Sequence, residues 1–266
     1  MSQGQKPEIP TSYYVIILLF LFFFTIGGCM RGARDGAPNY HIDVSKIKNP
    51  KPHYLPKSKY GNPEHYTVFG KRYHVLKTSK NYDKRGIASW YGTKFDGRLT
   101  STRERYHLTD MTAASPELPI PCFVRVTNLE NGQQVIVKVN DRGPFANNRI
   151  MDLSYVAAKK LGYTGKGTAL VQVTSIDAPN PLAETRRDFA HHRPELYLQV
   201  GAFAMIHNAN RLSSELKRLT QRKIRVLHTG HLYRVQIGPL KNVAESDHLE
   251  TKIAQQGLGR VITVVG

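Results

Sequence analysis

The chain has 266 residues, room for one large domain or two small ones, and carries 38 Lys plus Arg against 20 Asp plus Glu, a formal net charge of +18. That balance suits polyanions: nucleic acid, anionic lipid headgroups or a carboxylate-bearing cell wall. The two cysteines, Cys29 and Cys122, exclude a disulfide framework and a cysteine-built zinc site.

Tyr13 to Phe24 is an unbroken apolar run without charge, followed by Thr25-Ile26-Gly27-Gly28-Cys29. The run is short for a spanning helix, which needs about 20 residues, and fits the apolar region of a signal peptide. Gly27 and Gly28 before Cys29 resemble a bacterial lipobox, in which residues 1–28 are removed and Cys29 carries lipid. An uncleaved signal anchor is the other reading. Both export the rest of the chain, which turns the positive charge toward the envelope and away from nucleic acid. Residues 29–60, interrupted by Gly32, Gly36, Pro38, Pro50, Pro52 and Pro56, read as a basic tether.

Residues 61–83 form an extension in which Tyr66 to Leu76 alternates around Gly70 as a hairpin. Ile87 to Gly92 reads as the first strand of a β-barrel over 84–177, and Lys94 to Asp110 as a surface loop. Cys122 to Leu129 and Gln133 to Val139 are strands joined by an Asn131-Gly132 turn. Ile150 to Leu161 reads as a short helix capped by Asp152 or Ser154, and Thr168 to Ile176 as a last strand. Residues 178–193 are a linker. From residue 194 to 266 the order is βαββαβ, which implies a four-stranded antiparallel sheet with two helices on one face. Tyr233, Val235 and Ile237 are expected to face the helices, leaving Arg234, Gln236 and Gln199 on the open face.

The candidate chemistry sits at Asn140-Asp141-Arg142-Gly143-Pro144-Phe145. An apolar strand delivers Asp141 to a turn forced by Gly143 and Pro144, which suits either an acid/base carboxyl or a carboxylate that accepts backbone N–H bonds. Glu104 is the second candidate, against a solvated glutamate paired with Arg103 or Arg105. Trp90 and Tyr91 can stack on sugar rings or pack a core. Cys122 reads as a buried small hydrophobe, because no catalytic base accompanies it. The histidines lack a His-Glu-x-x-His pattern, so neither metal nor cofactor is expected.

Gly86-Ile87-Ala88-Ser89-Trp90-Tyr91-Gly92, Thr112-Ala113-Ala114, Val124 to Leu129, Asn140 to Phe145 and Ile150-Met151-Asp152-Leu153-Ser154 together resemble the rare lipoprotein A (RlpA) family. Tyr197 to Phe203 and Tyr233 to Pro239 are similar to the two hallmark strands of its C-terminal sporulation-related repeat (SPOR) module. The resemblance implies a six-stranded double-psi β-barrel followed by the SPOR domain. It also implies a lytic transglycosylase, a carbon–oxygen lyase that cuts the β-1,4 bond after N-acetylmuramic acid and leaves a 1,6-anhydro ring. Asp141 matches the family's acid, and Glu104 a family glutamate. Arg142 is expected to contact stem-peptide or lactyl carboxylates, and Gln199, Arg234 and Gln236 to bind glycan stripped of peptide. Ser115 stands where the family has an active-site histidine, Arg103 where it has a turn glycine, His107 where it has an acidic residue, and Asp96 where a histidine is common. The implied partners are denuded glycan strands, a membrane through the lipid anchor, and divisome proteins. The implied location is the septum, with Met30 after Cys29 favouring the outer membrane. A non-catalytic, expansin-like wall binder is the alternative. The RNA-binding fold that shares βαββαβ topology lacks its aromatic signature here.

Overall fold

The computed structural model describes residues 35–146, 148–176 and 194–266. The leader, Cys29 and the linker over 178–193 lie outside the described residues. The stretch expected as a tether is not free from residue 35 onward. The Asp35 carboxylate accepts from the backbone N–H groups of Gly92 and Lys94, both at 3.1 Å, and the Gly36 carbonyl accepts from Thr93 N at 3.0 Å. Ile42 is buried, and the Lys159 and Lys160 ammonium groups donate to the carbonyls of Ile42 and Ile47. Further on, Asn62 pairs with both backbone groups of Ile120. Backbone hydrogen bonds hold this strap, which is why a search for apolar periodicity reads it as linker.

Gly92 has no room for a side chain, because a Cβ there would lie 2.0 Å from the Gly36 carbonyl oxygen. Gly92→Ala must therefore lift the strap. The expected loss is about 1–3 kcal/mol of stability, measured by urea unfolding, with faster proteolysis within 35–62. An unchanged midpoint and cleavage rate would show that the strap does not depend on this contact.

The hairpin of β1 (His65–Val68) and β2 (Lys71–His74) turns at Phe69 and Gly70, with φ of 49° and 73°. Positive φ at both turn positions matches the twist of the flanking strands. Next comes the expected six-stranded barrel: β3 (Asp83–Tyr91), β4 (Thr112–Ala114), β5 (Cys122–Asn128), β6 (Gln134–Asp141), β7 (Arg149–Ser154) and β8 (Ala169–Ser175). They close in the order β3-β7-β4-β6-β5-β8. The pairs β3–β7 and β4–β6 are parallel and the other four are antiparallel. Alternate residues such as Val135, Val137, Val139, Met151 and Leu153 fill the interior.

One element departs from expectation. Residues 149–154 are strand, and helix α1 covers only Tyr155–Lys160. Ser154 caps it, accepting from Ala157 N, so Asp152 is not a cap but a strand residue. Pairing with strands on both sides overrides the local helical preference, as tertiary context commonly does.

The C-terminal module has the expected order: β9 (Leu196–Phe203), α2 (Ile206–Thr220), β10 (Ile224–Thr229), β11 (Leu232–Leu240), α3 (Val243–Gln255) and β12 (Ile262–Val265). Its sheet runs β10-β11-β9-β12, antiparallel throughout. Leu198, Val235 and Ile237 pack against Ala209, Leu216, Leu249 and Ile253 of the helices. Tyr233 is partly buried in the same cluster, on the face expected for it. At the start of the second helix Asn242 Oδ1 accepts from Glu245 N, and the Glu245 carboxylate accepts in return from Lys241 N. This reciprocal arrangement fixes the first turn of α3.

Candidate active site

A register shift sets the direction of Asp141. Along the parallel β4–β6 pair, Ala113 faces Val139 but Ala114 faces Asp141, so Asn140 is the extra residue of a bulge. Bulges re-aim the following side chain. Val139 is fully buried in the barrel core, whereas Asp141 is only half-buried. Its Oδ1 accepts from Ser101 N at 2.8 Å, Ser101 Oγ at 2.6 Å and Arg142 N at 2.8 Å. These donors fix the carboxyl through one oxygen. Among the described residues, the donors to the Asp141 side chain all meet Oδ1, and none meets Oδ2.

Arg142, expected to contact stem-peptide or lactyl carboxylates, directs its guanidinium to oxygens of the protein. Its Nε donates to Gly61 O at 2.7 Å, Nη1 to Leu118 O at 2.6 Å and Ser115 O at 3.0 Å, and Nη2 to Asn62 Oδ1 at 3.2 Å. Four of its five N–H groups are thus committed to the protein. Burial pulls its pKa below the usual value. Ser115 is completely buried, donates its N–H to Asp141 O at 3.1 Å, and accepts at Oγ from Leu118 N at 3.2 Å. Its side chain closes the 115–118 turn.

Glu104 is exposed on the 93–110 loop, and its partners are not Arg103 or Arg105. Its Oε2 accepts from Asn140 Nδ2 at 2.7 Å and from Lys138 Nζ at 2.8 Å. Burial pushes its carboxyl up, but the hydrogen bonds from Lys138 and Asn140 and the Lys138 charge outweigh this and hold it below the ordinary value. Asp141 and Glu104 are therefore tied to one strand end by one loop, because Thr102 N also donates to Asn140 O at 3.2 Å. In the same loop His107 faces Asp96 at 4.0 Å, and Arg103 lies over the Tyr60 ring with φ of 72°.

The two candidate stacking rings both make packing contacts within the barrel. Tyr91 is 8 % exposed, its ring 4.3 Å from Tyr106, and burial drives its phenol well above the usual pKa. Trp90 is half-buried, edge-on to Tyr155 at 5.4 Å and packed against the barrel core. Cys122 is half-buried, and desolvation pushes its thiol up to about 12.

On the C-terminal sheet, Gln199, Gln236 and Arg234 do converge. Gln236 Nε2 donates to Gln199 Oε1 at 3.3 Å, and Arg234 Nη1 reaches the same oxygen at 3.4 Å. Two residues missed in the sequence join them. Arg225 donates from Nε to Gln236 Oε1 at 2.9 Å, and its guanidinium lies 3.3 Å from the Tyr197 ring centroid. The glutamines are buried and the two arginines half-buried, so the arginines are the more accessible donors of the cluster. The alternation along β9 and β10 carried the signal for Tyr197 and Arg225: each shares the face of Gln199 and Gln236. Ser101 carried no such signal, because its role rests on a contact forty residues away in sequence.

Residues 83–173 match the family model described as Lytic transglycolase, and residues 194–263 that of the SPOR domain. The endolytic peptidoglycan transglycosylase RlpA of Pseudomonas aeruginosa is 36% identical, over 88% of this chain and 85% of that protein. The protein of the same name from Vibrio cholerae is 37% identical, over 91% of this chain and 90% of its own length. Among solved structures, the crystal structure of the RlpA SPOR domain from Pseudomonas aeruginosa is 32% identical, covering 26% of this chain and 96% of that one with a TM-score of 0.25.

Proposed function

We propose that this chain, which belongs to the RlpA family of endolytic peptidoglycan transglycosylases, cleaves the β-1,4 bond between N-acetylmuramic acid and N-acetylglucosamine in peptidoglycan and forms a 1,6-anhydro end. The observation that carries the site assignment is Asp141, aimed by a bulge and fixed at Oδ1 by three donors, with no protein donor at Oδ2 among the described residues. Asp141 gives its proton to the glycosidic oxygen as the C1–O bond breaks. It then takes the proton of the muramyl 6-hydroxyl as O6 bonds to C1. No water is consumed, and the carboxyl ends the cycle as it began. Glu104, kept ionised by Lys138, contributes negative charge near the developing cation.

The sheet face of Gln199, Arg234, Gln236 and Arg225 holds the glycan, with peptide-free strands as the preferred ligand. Lipid at Cys29 places the protein in the envelope, at the periplasmic face of the outer membrane and at the septum, where divisome proteins are its neighbours.

Mass analysis of material released from denuded sacculi tests the reading. The expected products are 1,6-anhydro fragments, one water lighter than hydrolysis products. Retention on sacculi without release identifies the expansin-like binder instead. Replacing Gln199 and Arg234 together by Ala is expected to weaken sacculus binding by roughly 10-fold or more, at about 1 kcal/mol per lost hydrogen bond. Undiminished binding would remove this face from the glycan site.

A further inference from the structure

The barrel register places a second carboxyl on the row of Asp141. Asp141 is opposite Ala114, Ala114 is opposite Asp152, and Asp152 is opposite Ser89. Residues opposite one another on neighbouring strands share a face. The Ser89 hydroxyl donates to Asp152 Oδ1, which confirms the shared face for that pair. Met151 and Leu153, on either side of Asp152, point into the core. Two strand spacings, about 10 Å of backbone, separate the two aspartates. Ala114 holds the position between them in the row.

We propose that Asp152 is a positioning residue of the cleavage site that works through Asp141, setting the charge Asp141 faces and so the pH range in which it can carry a proton. This deepens the function proposed above and rests on Asp141 being its acid. The donor chain behind Asp152 runs from Arg149 Nη1 to Ser89 Oγ, at 3.0 Å, and from the Ser89 hydroxyl to the carboxyl. That chain fixes the carboxyl's orientation. The charged and titratable groups around it are Arg149 on its own strand, Asp35 of the strap, Asp141 of β6, and the phenols of Tyr91 and Tyr163. Burial raises the Asp152 pKa, the Ser89 hydrogen bond and Arg149 oppose the rise, and Asp35 and Asp141 add to it. The folded chain therefore holds this proton to higher pH than the unfolded chain does. Ionising Asp152 subtracts stability as pH rises from about 3.9 through the folded value. Two carboxyls on one row repel when both are ionised, so charge on one disfavours charge on the other.

Carboxyl-carbon NMR titration of the full chain tests the coupling without requiring activity. Asp152 is expected to titrate above the ordinary carboxylate range, and Asp141→Asn to lower its midpoint by up to about 1 pH unit. Absence of any shift overturns the proposal even if the protein cleaves glycan. In cleavage assays Asp152→Asn is expected to move the pH profile of kcat/KM to lower pH by a similar amount, with sacculus binding unchanged. Ser89→Ala, which keeps the carboxyl and releases its orientation, is expected to reduce kcat without changing binding. It supplies the test if Asp152→Asn does not fold. A parent-like pH profile in Asp152→Asn, or a parent-like kcat in Ser89→Ala, overturns the proposal. A parent without cleavage, but with the NMR shift intact, overturns the transglycosylase reading and spares the carboxyl pair.

Discussion

Asp141→Asn protein is expected to bind denuded sacculi as the parent does and to release 1,6-anhydro products at least about 10²–10⁴-fold more slowly. The substitution separates the two roles that a turn carboxylate can play. Asn keeps an acceptor oxygen for Ser101 N, Ser101 Oγ and Arg142 N, so the bonds that hold the turn survive. At Oδ2 it puts an amide that neither gives nor takes a proton near neutral pH. The melting temperature should therefore move little while turnover collapses. Glu104→Gln should reduce activity less, because the Lys138 and Asn140 contacts favour the ionised form of Glu104, which suits it less as the proton donor. Near-parent turnover in Asp141→Asn, with a greater loss in Glu104→Gln, would reverse the assignment and leave Asp141 as a turn carboxylate alone.

Local patterns carried much of this architecture. The Asn131-Gly132 hairpin, the βαββαβ order and the alternation that puts Val235 and Ile237 inside were legible because each depends on neighbours a few residues apart. Asp141 was legible for the same reason, since strand, Gly143 and Pro144 are contiguous. What the sequence hid depends on distant partners. Residues 149–154 are strand only because β3 and β4 flank them. The strap docks through Asp35 to residues almost sixty positions away. The rings of Trp90 and Tyr91 had no outward sign of burial, because the loop that covers Tyr91 looked like solvent-exposed chain. Arg103 shows how position outweighs type: a side chain with φ of 72° occupies a backbone conformation that favours glycine. The bulge at Asn140 decides which way Asp141 points, and nothing in the residues around it announces an extra position.

Arg142 shows most clearly how a residue type can suggest a ligand contact and serve the fold instead. An arginine next to a candidate acid, in a protein expected to meet carboxylates, reads as a recognition residue. The structure surrounds it with oxygens of Gly61, Asn62, Ser115 and Leu118, drawn from the N-terminal extension and from the turn before β5. It is the joint between three segments, and it sits directly beside Asp141, the proposed acid. Arg142→Met keeps the apolar stem and removes every one of these bonds, leaving buried acceptors unsatisfied at about 1–3 kcal/mol each before relaxation. The expected net loss is about 3–5 kcal/mol, seen as a fall of roughly 10 °C in the barrel's melting temperature. Arg142→Lys should rescue only part of it, because one ammonium cannot reproduce a planar fork that serves four acceptors. Sacculus binding by the C-terminal sheet should persist in both variants at temperatures where the barrel is folded. If Arg142→Met melts with the parent but loses affinity for sacculi that retain peptide stems, then the guanidinium leaves its oxygens to bind ligand carboxylates, and its structural role fails. If it melts early with ligand affinity intact, the sequence neighbour of the acid is a brace whose task is to keep Asp141 where the bulge puts it.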